Sequence, residues 1–139
     1  LVGTIRSLDY GMRDYIKKRI IELSKGIAKS YGGNAIVEIE DGADITFNDP
    51  NMMNKMLPSL KKSAGIENVV LSNAKTLAED YAYYLNEIPG FLFELGGYNT
   101  NESREAPAHH TPDFFIDDSS LLLGVKVMTN LALDFLGSE

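Results

Sequence analysis

The chain has 139 residues, 44% hydrophobic and 24% charged, a globular composition long enough for one ordinary domain or for a small domain joined to part of another. Thirteen Lys and Arg against twenty Asp and Glu leave a net charge of −7, which repels a polyanion and argues against a nucleic-acid partner; composition suggests no bilayer span, so a soluble protein with no membrane partner is expected. Cysteine is absent, which excludes disulfide staples, thiolate metal sites and thiol nucleophiles and is compatible with a cytoplasmic location.

The opening LVGTIRSLDYG has no initiator Met, no basic n-region and no long apolar h-region, and reads as the interior of a longer polypeptide or as a trimmed chain. Val2 to Arg6 is β-prone, and Ser7-Leu8-Asp9 offers a helix cap. Met12, Ile16, Ile20, Leu23 and Ile27 then recur at helical spacing opposite Lys17, Lys18, Glu22 and Lys25. Lys17-Lys18-Arg19, with Asp14 and Glu22 nearby, reads as a solvated helix face. Gly32-Gly33 ends this helix. Ala35 to Glu40 alternates Val37 and Ile39 against Glu38 and Glu40, as a half-buried strand does. The acidic, turn-rich residues 41 to 47 form the best candidate for a domain boundary.

Asn48 or Asp49 caps a second helix with Pro50 at its first position. Met52, Met53, Met56, Leu57 and Leu60 give it an apolar face, and Pro58 is expected to kink or split it. Val69 to Leu71 reads as a short buried strand. Thr76-Leu77-Ala78-Glu79 has the form of a capping box opening a helix to about Asn86, stopped by Pro89-Gly90. Phe91 to Leu95 reads as a strand ending at Gly96-Gly97, and residues 98 to 113 as a polar loop holding both histidines. A last helix, residues 121 to 136 with Asp118 or Ser119 as cap, is apolar nearly all round, which predicts burial against a sheet. Helices alternating with short strands predict an α/β fold of layered sheet and helices.

Three places carry candidate chemistry. His109-His110-Thr111-Pro112 sets imidazoles in a Pro-stiffened loop, where His110 can be a metal ligand or a surface or hydrogen-bonded histidine; a metal site needs three or four ligands. Glu79-Asp80 can serve a substrate or simply satisfy the first turn of a helix. Gly96-Gly97 can admit a ligand close to the backbone or make a turn. No phosphate loop, dinucleotide fingerprint or nucleophile elbow is present.

In order, GTIRSLD leading into a helix, FNDP, AEDYAYYLNEIPGFLFELGG and HHTPDFFIDDSSLLLG resemble the C-terminal part of the metal-dependent amidohydrolase family that includes hippurate hydrolase, the auxin-conjugate amidohydrolases, aminoacylase and succinyl-diaminopimelate desuccinylase. The resemblance covers essentially the whole chain. It implies a two-domain metallohydrolase, with residues 1–42 the end of a lid or dimerisation domain and residues 43–139 the C-terminal portion of the catalytic domain. It implies His110 as a metal ligand, His109 as its neighbour, and Glu79 and Asp80 beside the substrate, for which Gly96 is a candidate on its local sequence alone. Arg6, on the lid strand, is a candidate for a substrate carboxylate or a structural ion pair.

For an intact enzyme the resemblance further implies two divalent ions, zinc or manganese, with the general base and remaining ligands upstream of residue 1. A metal-activated water would cleave an N-acyl amino acid or small peptide. A homodimer through the lid is implied, and these 139 residues alone should hydrolyse nothing. The alternatives are a non-catalytic dimerisation or binding module derived from the same family, and a carboxypeptidase or deacetylase within it.

Overall fold

A computed structural model describes residues 1–98 and 106–137. The first helix, α1, spans Tyr10–Ser30 because the Asp9 carboxylate accepts the Met12 N–H at 2.7 Å at its start. At its end Gly32 takes a left-handed φ of 73°, and the Gly33 N–H reaches back to the Ala28 carbonyl at 2.8 Å. Helix α2, Pro50–Ala64, repeats the device, with the Asp49 carboxylate accepting from Met52 N–H at 2.7 Å and Pro50 in the first turn.

The expected split of α2 at Pro58 does not occur: the helix is continuous across it. Proline inside a helix costs about 3 kcal/mol. Met56 and Leu60 flank it and are both buried, and each such side chain contributes about 1.5–3 kcal/mol, which is enough to outweigh the lost bond. A short 3₁₀ turn, Ile66–Asn68, follows. Helix α3 spans Tyr81–Glu87, opening five residues after Thr76 rather than at the expected capping box. The Thr76 carbonyl instead accepts from Arg6 Nη1 at 3.4 Å, and the Glu79 carboxylate accepts the Tyr81 N–H at 3.5 Å. Helix α4 spans Ser119–Leu136.

None of the four expected strands, at residues 2–6, 35–40, 69–71 and 91–95, forms a sheet ladder among the described residues, so the layered α/β sheet is not found here. The expected alternation of side chains is present at 35–40, where Ala35, Val37 and Ile39 are half-buried while Ile36, Glu38 and Glu40 are exposed. A ladder also needs a partner strand to take the backbone N–H and C=O groups, and alternation says nothing about who that partner is.

The chain divides into two compact units, residues 1–48 with 73–90 and residues 49–72 with 91–139. In the first, α1 turns Arg13, Ile16, Lys17, Ile21 and Ala28 inward, each half-buried. The stripe expected to be the packed face is largely exposed at Met12, Ile20, Leu23 and Ile27. Ala82 is the buried apolar residue of this unit among those described. In the second unit α2 and α4 pack together, with Met56, Leu60 and Val127 buried. Two buried serines of α2 are satisfied across this pair: Ser59 Oγ donates to Asp134 Oδ2 at 2.7 Å, and Asn130 Nδ2 donates to Ser63 Oγ at 2.9 Å.

The other side of α4, at Leu121, Leu122, Val125, Leu133 and Leu136, is exposed, so the expected all-round burial of this helix is found on one side only. By length and composition α4, with a mean hydropathy of 1.3, is also long and apolar enough to cross a membrane. Large apolar side chains are left uncovered in both units, among them Ile36 and Phe47 in the first and Leu71, Leu122 and Leu136 in the second.

Candidate functional site

The histidine segment lies in the second unit and is built from short-range turns. Thr111 Oγ1 donates to the Ala108 carbonyl at 2.8 Å, and the Phe114 N–H to the Thr111 carbonyl at 3.1 Å. Inside the first of these turns His110 has φ 63°, the sole positive φ at a non-glycine among the described residues. Such a conformation is uncommon outside glycine and is held only where its surroundings over-determine it. The His109 ring sits 5.0 Å from the Phe114 ring, and both imidazoles are exposed.

The same segment is anchored at its far end, where the Asp117 N–H donates to the Gly97 carbonyl at 2.7 Å. A Cβ at Gly97 would lie 3.2 Å from Ile116 Cγ2, so the Ile116 side chain would have to give by a few tenths of an ångström. Gly96 faces open space, with nothing within 4 Å of where a Cβ would be. The Asp117 carboxylate accepts the Ser119 N–H at 2.9 Å, and with the Ser119 side chain this holds the carboxyl below the usual range. Part of the expected polar loop, residues 99–105, lies outside the described residues.

Arg6, Glu79 and Asp80 belong to the first unit. The Arg6 contact to Thr76 ties its strand-like segment to the stretch just before Glu79 and Asp80. The carbonyls of Glu79 and Asp80 accept from Ala82 and Tyr83 N–H at 3.1 Å each, so these residues form the entrance of α3 while their side chains stay exposed. Among the described residues no three His, Cys, Asp or Glu side chains come together as a metal site. His110 supplies one donor where a stable centre needs three or four, so no metal-dependent step follows from the described residues.

Sequence reasoning missed a polar centre in the first unit. The Asp44 carboxylate accepts from Ile45 N–H and from Asn86 Nδ2, both at 2.9 Å, with Arg13 Nη1 at 3.5 Å, and the Tyr10 hydroxyl acts on its titration. The Ile45 N–H above all, then Asn86, Tyr10 and Arg13, hold this carboxyl below the usual range against the opposing effect of burial. The bond to Asp44 in turn pushes the Tyr10 hydroxyl up. Lys17 bonds Asp41 in the same segment and lowers that carboxyl. Tyr10, Arg13 and Lys17 at steps of three and four were a visible signal on α1. Nothing local pointed to Asn86.

A sequence model of peptidase family M20/M25/M40 matches residues 7–134. The chain is 31% identical over 130 residues to an N-acetyldiaminopimelate deacetylase of Streptococcus suis, covering 91% of this chain and 34% of that protein. It is 32% identical over 134 residues to thermostable carboxypeptidase 2 of Saccharolobus solfataricus, covering 96% and 33%. It is 30% identical over 135 residues to YhaA of Bacillus subtilis, named as an amidohydrolase, covering 97% and 34%. The chain thus spans about a third of the length of the curated relatives it matches. No solved structure matches it.

Proposed function

The chain belongs to peptidase family M20/M25/M40, a hydrolase family, and from that membership we propose that it is the C-terminal part of a metal-dependent amidohydrolase that cleaves the amide bond of N-acyl amino acids or small peptides. In this reading His110 is a metal ligand with His109 beside it, and Glu79, Asp80, Arg6 and Gly96 meet the substrate. The remaining ligands and the general base come from the two-thirds of the relatives' length that this chain does not span. The intact enzyme would hold two divalent ions, zinc or manganese, work in the cytoplasm, and pair through a lid domain ending near residue 42.

The observation that carries the reading is the left-handed φ of 63° at His110, followed at once by Thr111 and Pro112. Strained non-glycine backbone concentrates where a side chain must be aimed. The uncovered surface agrees with a chain that completes a larger protein. The segments at 2–6 and 35–40 would pair with lid strands from the remainder, those at 69–71 and 91–95 with strands of the catalytic domain, and the outer face of α4 would lie on the latter sheet.

The test uses the intact protein, assayed with N-acetyl amino acids and short peptides after stripping with a chelator and adding back Zn²⁺ or Mn²⁺. Metal-dependent release of the amino acid is expected, with N-acetyl substrates preferred. His110→Ala should reduce it by at least about 100-fold, since even partners that only orient a ligand cost 10- to 100-fold. Full activity in that variant would remove His110 from the site, and an intact protein without turnover would favour the binding-module alternative.

A further inference from the structure

The polar centre at Asp44 joins three segments that are distant in sequence, all within the first unit. Tyr10 and Arg13 bring in the start of α1, Ile45 the stretch after residue 41, and Asn86 the last turn of α3. A second bond runs parallel to the Asn86 tie: Tyr83 Oη donates to the Gly42 carbonyl at 3.2 Å. Helix α3 has seven residues, so its length is only about 10 Å. A helix this short has little stability of its own and takes its place from what holds it.

That place matters because Glu79 and Asp80 lie at the entrance of α3, and Arg6 reaches the Thr76 carbonyl three residues before them. Moving the far end of so short a rod moves its near end as well. We infer that Asp44 is a positioning residue: through Asn86 it fixes α3 against the 41–46 segment and α1, and so sets the spacing of Glu79 and Asp80 from Arg6. This rests on the proposed assignment of those three residues to substrate. The carboxylate suits the task because it accepts from several directions at once, and charged acceptors make the stronger hydrogen bonds.

Asp44→Asn keeps the size of the side chain but replaces one acceptor oxygen by an NH₂ group that confronts either the Asn86 donor or those of Ile45 and Arg13. Two readouts on the intact protein test the idea. Hydrogen exchange at the amides of Leu85 to Ile88 should quicken about tenfold in this variant, since loss of one charged hydrogen bond is worth about that factor. KM for an N-acetyl amino acid should rise about tenfold with kcat within about twofold, because spacing of binding groups is disturbed and the reacting atoms are not.

Asn86→Ala should reproduce both effects, and the double variant should add little to either single one. The control is Asp41→Asn, which loosens the same segment from α1 through Lys17 without touching α3, and should leave both readouts near wild type. Unchanged exchange in Asp44→Asn overturns the inference whether or not the protein proves to be a hydrolase. Faster exchange with unchanged KM overturns the link to substrate. An inactive wild-type protein fails the hydrolase reading and leaves the exchange result to decide whether Asp44 holds α3.

Discussion

In the first unit the ties between segments are polar, running from Asp44 to Tyr10, Arg13 and Asn86 and from Asp41 to Lys17, while Ala82 is its buried apolar residue among those described. In the second, two helices bury Met56, Leu60 and Val127 against each other, and the polar contacts of Ser59 and Ser63 only satisfy groups that this packing has covered. Hydrogen bonds and partly exposed ion pairs fix where segments lie but contribute little net free energy. Burial of apolar area supplies most of it. The second unit is therefore expected to hold together more firmly, and the first to depend on whatever covers the exposed stripe of α1.

The largest effect that sharpens this contrast is expected from Leu60→Ala. Truncating a buried leucine costs about 2–5 kcal/mol in transfer energy and residual cavity. With so few buried side chains in the second unit, the loss should appear in urea melts followed by helix CD as a fall in midpoint. A cost below about 1 kcal/mol would mean that the α2–α4 contact is not the core of this unit. Asp49→Ala should come next, at about 1 kcal/mol, because it removes the acceptor for the Met52 N–H at the start of α2. If α2 owes its place to burial rather than to its cap, this variant must cost clearly less than Leu60→Ala in the same melts.

The starts of α1 and α2 and the end of α1 were legible because their signals are local, whereas the Thr76 capping box does not open α3 and Asp118 makes no side-chain cap at α4. Asp9, Asp49 and Gly32 each act on groups within five residues, and each does what its type and spacing predict. The apolar face of α2 was legible for the same reason, as Met56 and Leu60 recur at helical spacing. The strands were not, since a ladder depends on a second segment that one-dimensional alternation cannot identify. The face that α1 turns inward also escaped, because Lys17 reads as a surface charge until Asp41 is beside it. At the candidate site the histidines were visible as residue types, whereas the left-handed backbone of His110 and the convergence of Asn86 on Asp44 arise only from folding.

Acid is expected to separate the two units with the smallest effect of those considered. In the first unit Asp41 and Asp44 are both held below the usual carboxyl value of 3.8, Asp41 by its bond to Lys17 and Asp44 chiefly by the Ile45 N–H. The sign follows from linkage. Between the lowered folded value and 3.8 the unfolded chain binds more protons than the folded one, so stability rises with pH across that window. The contribution is complete above the unfolded value and is lost as pH falls through the folded one. Asp117 and Asp134 in the second unit are lowered in the same direction, Asp134 mainly by Ser59, but there the buried side chains of α2 and α4 remain when the carboxylates are protonated. Amide exchange should therefore quicken in α1 before α2 and α4 when pH is lowered from 6 to 3, after correction for the intrinsic pH dependence of exchange. Simultaneous loss of protection in all three helices would show that the polar ties of the first unit are not its weak point.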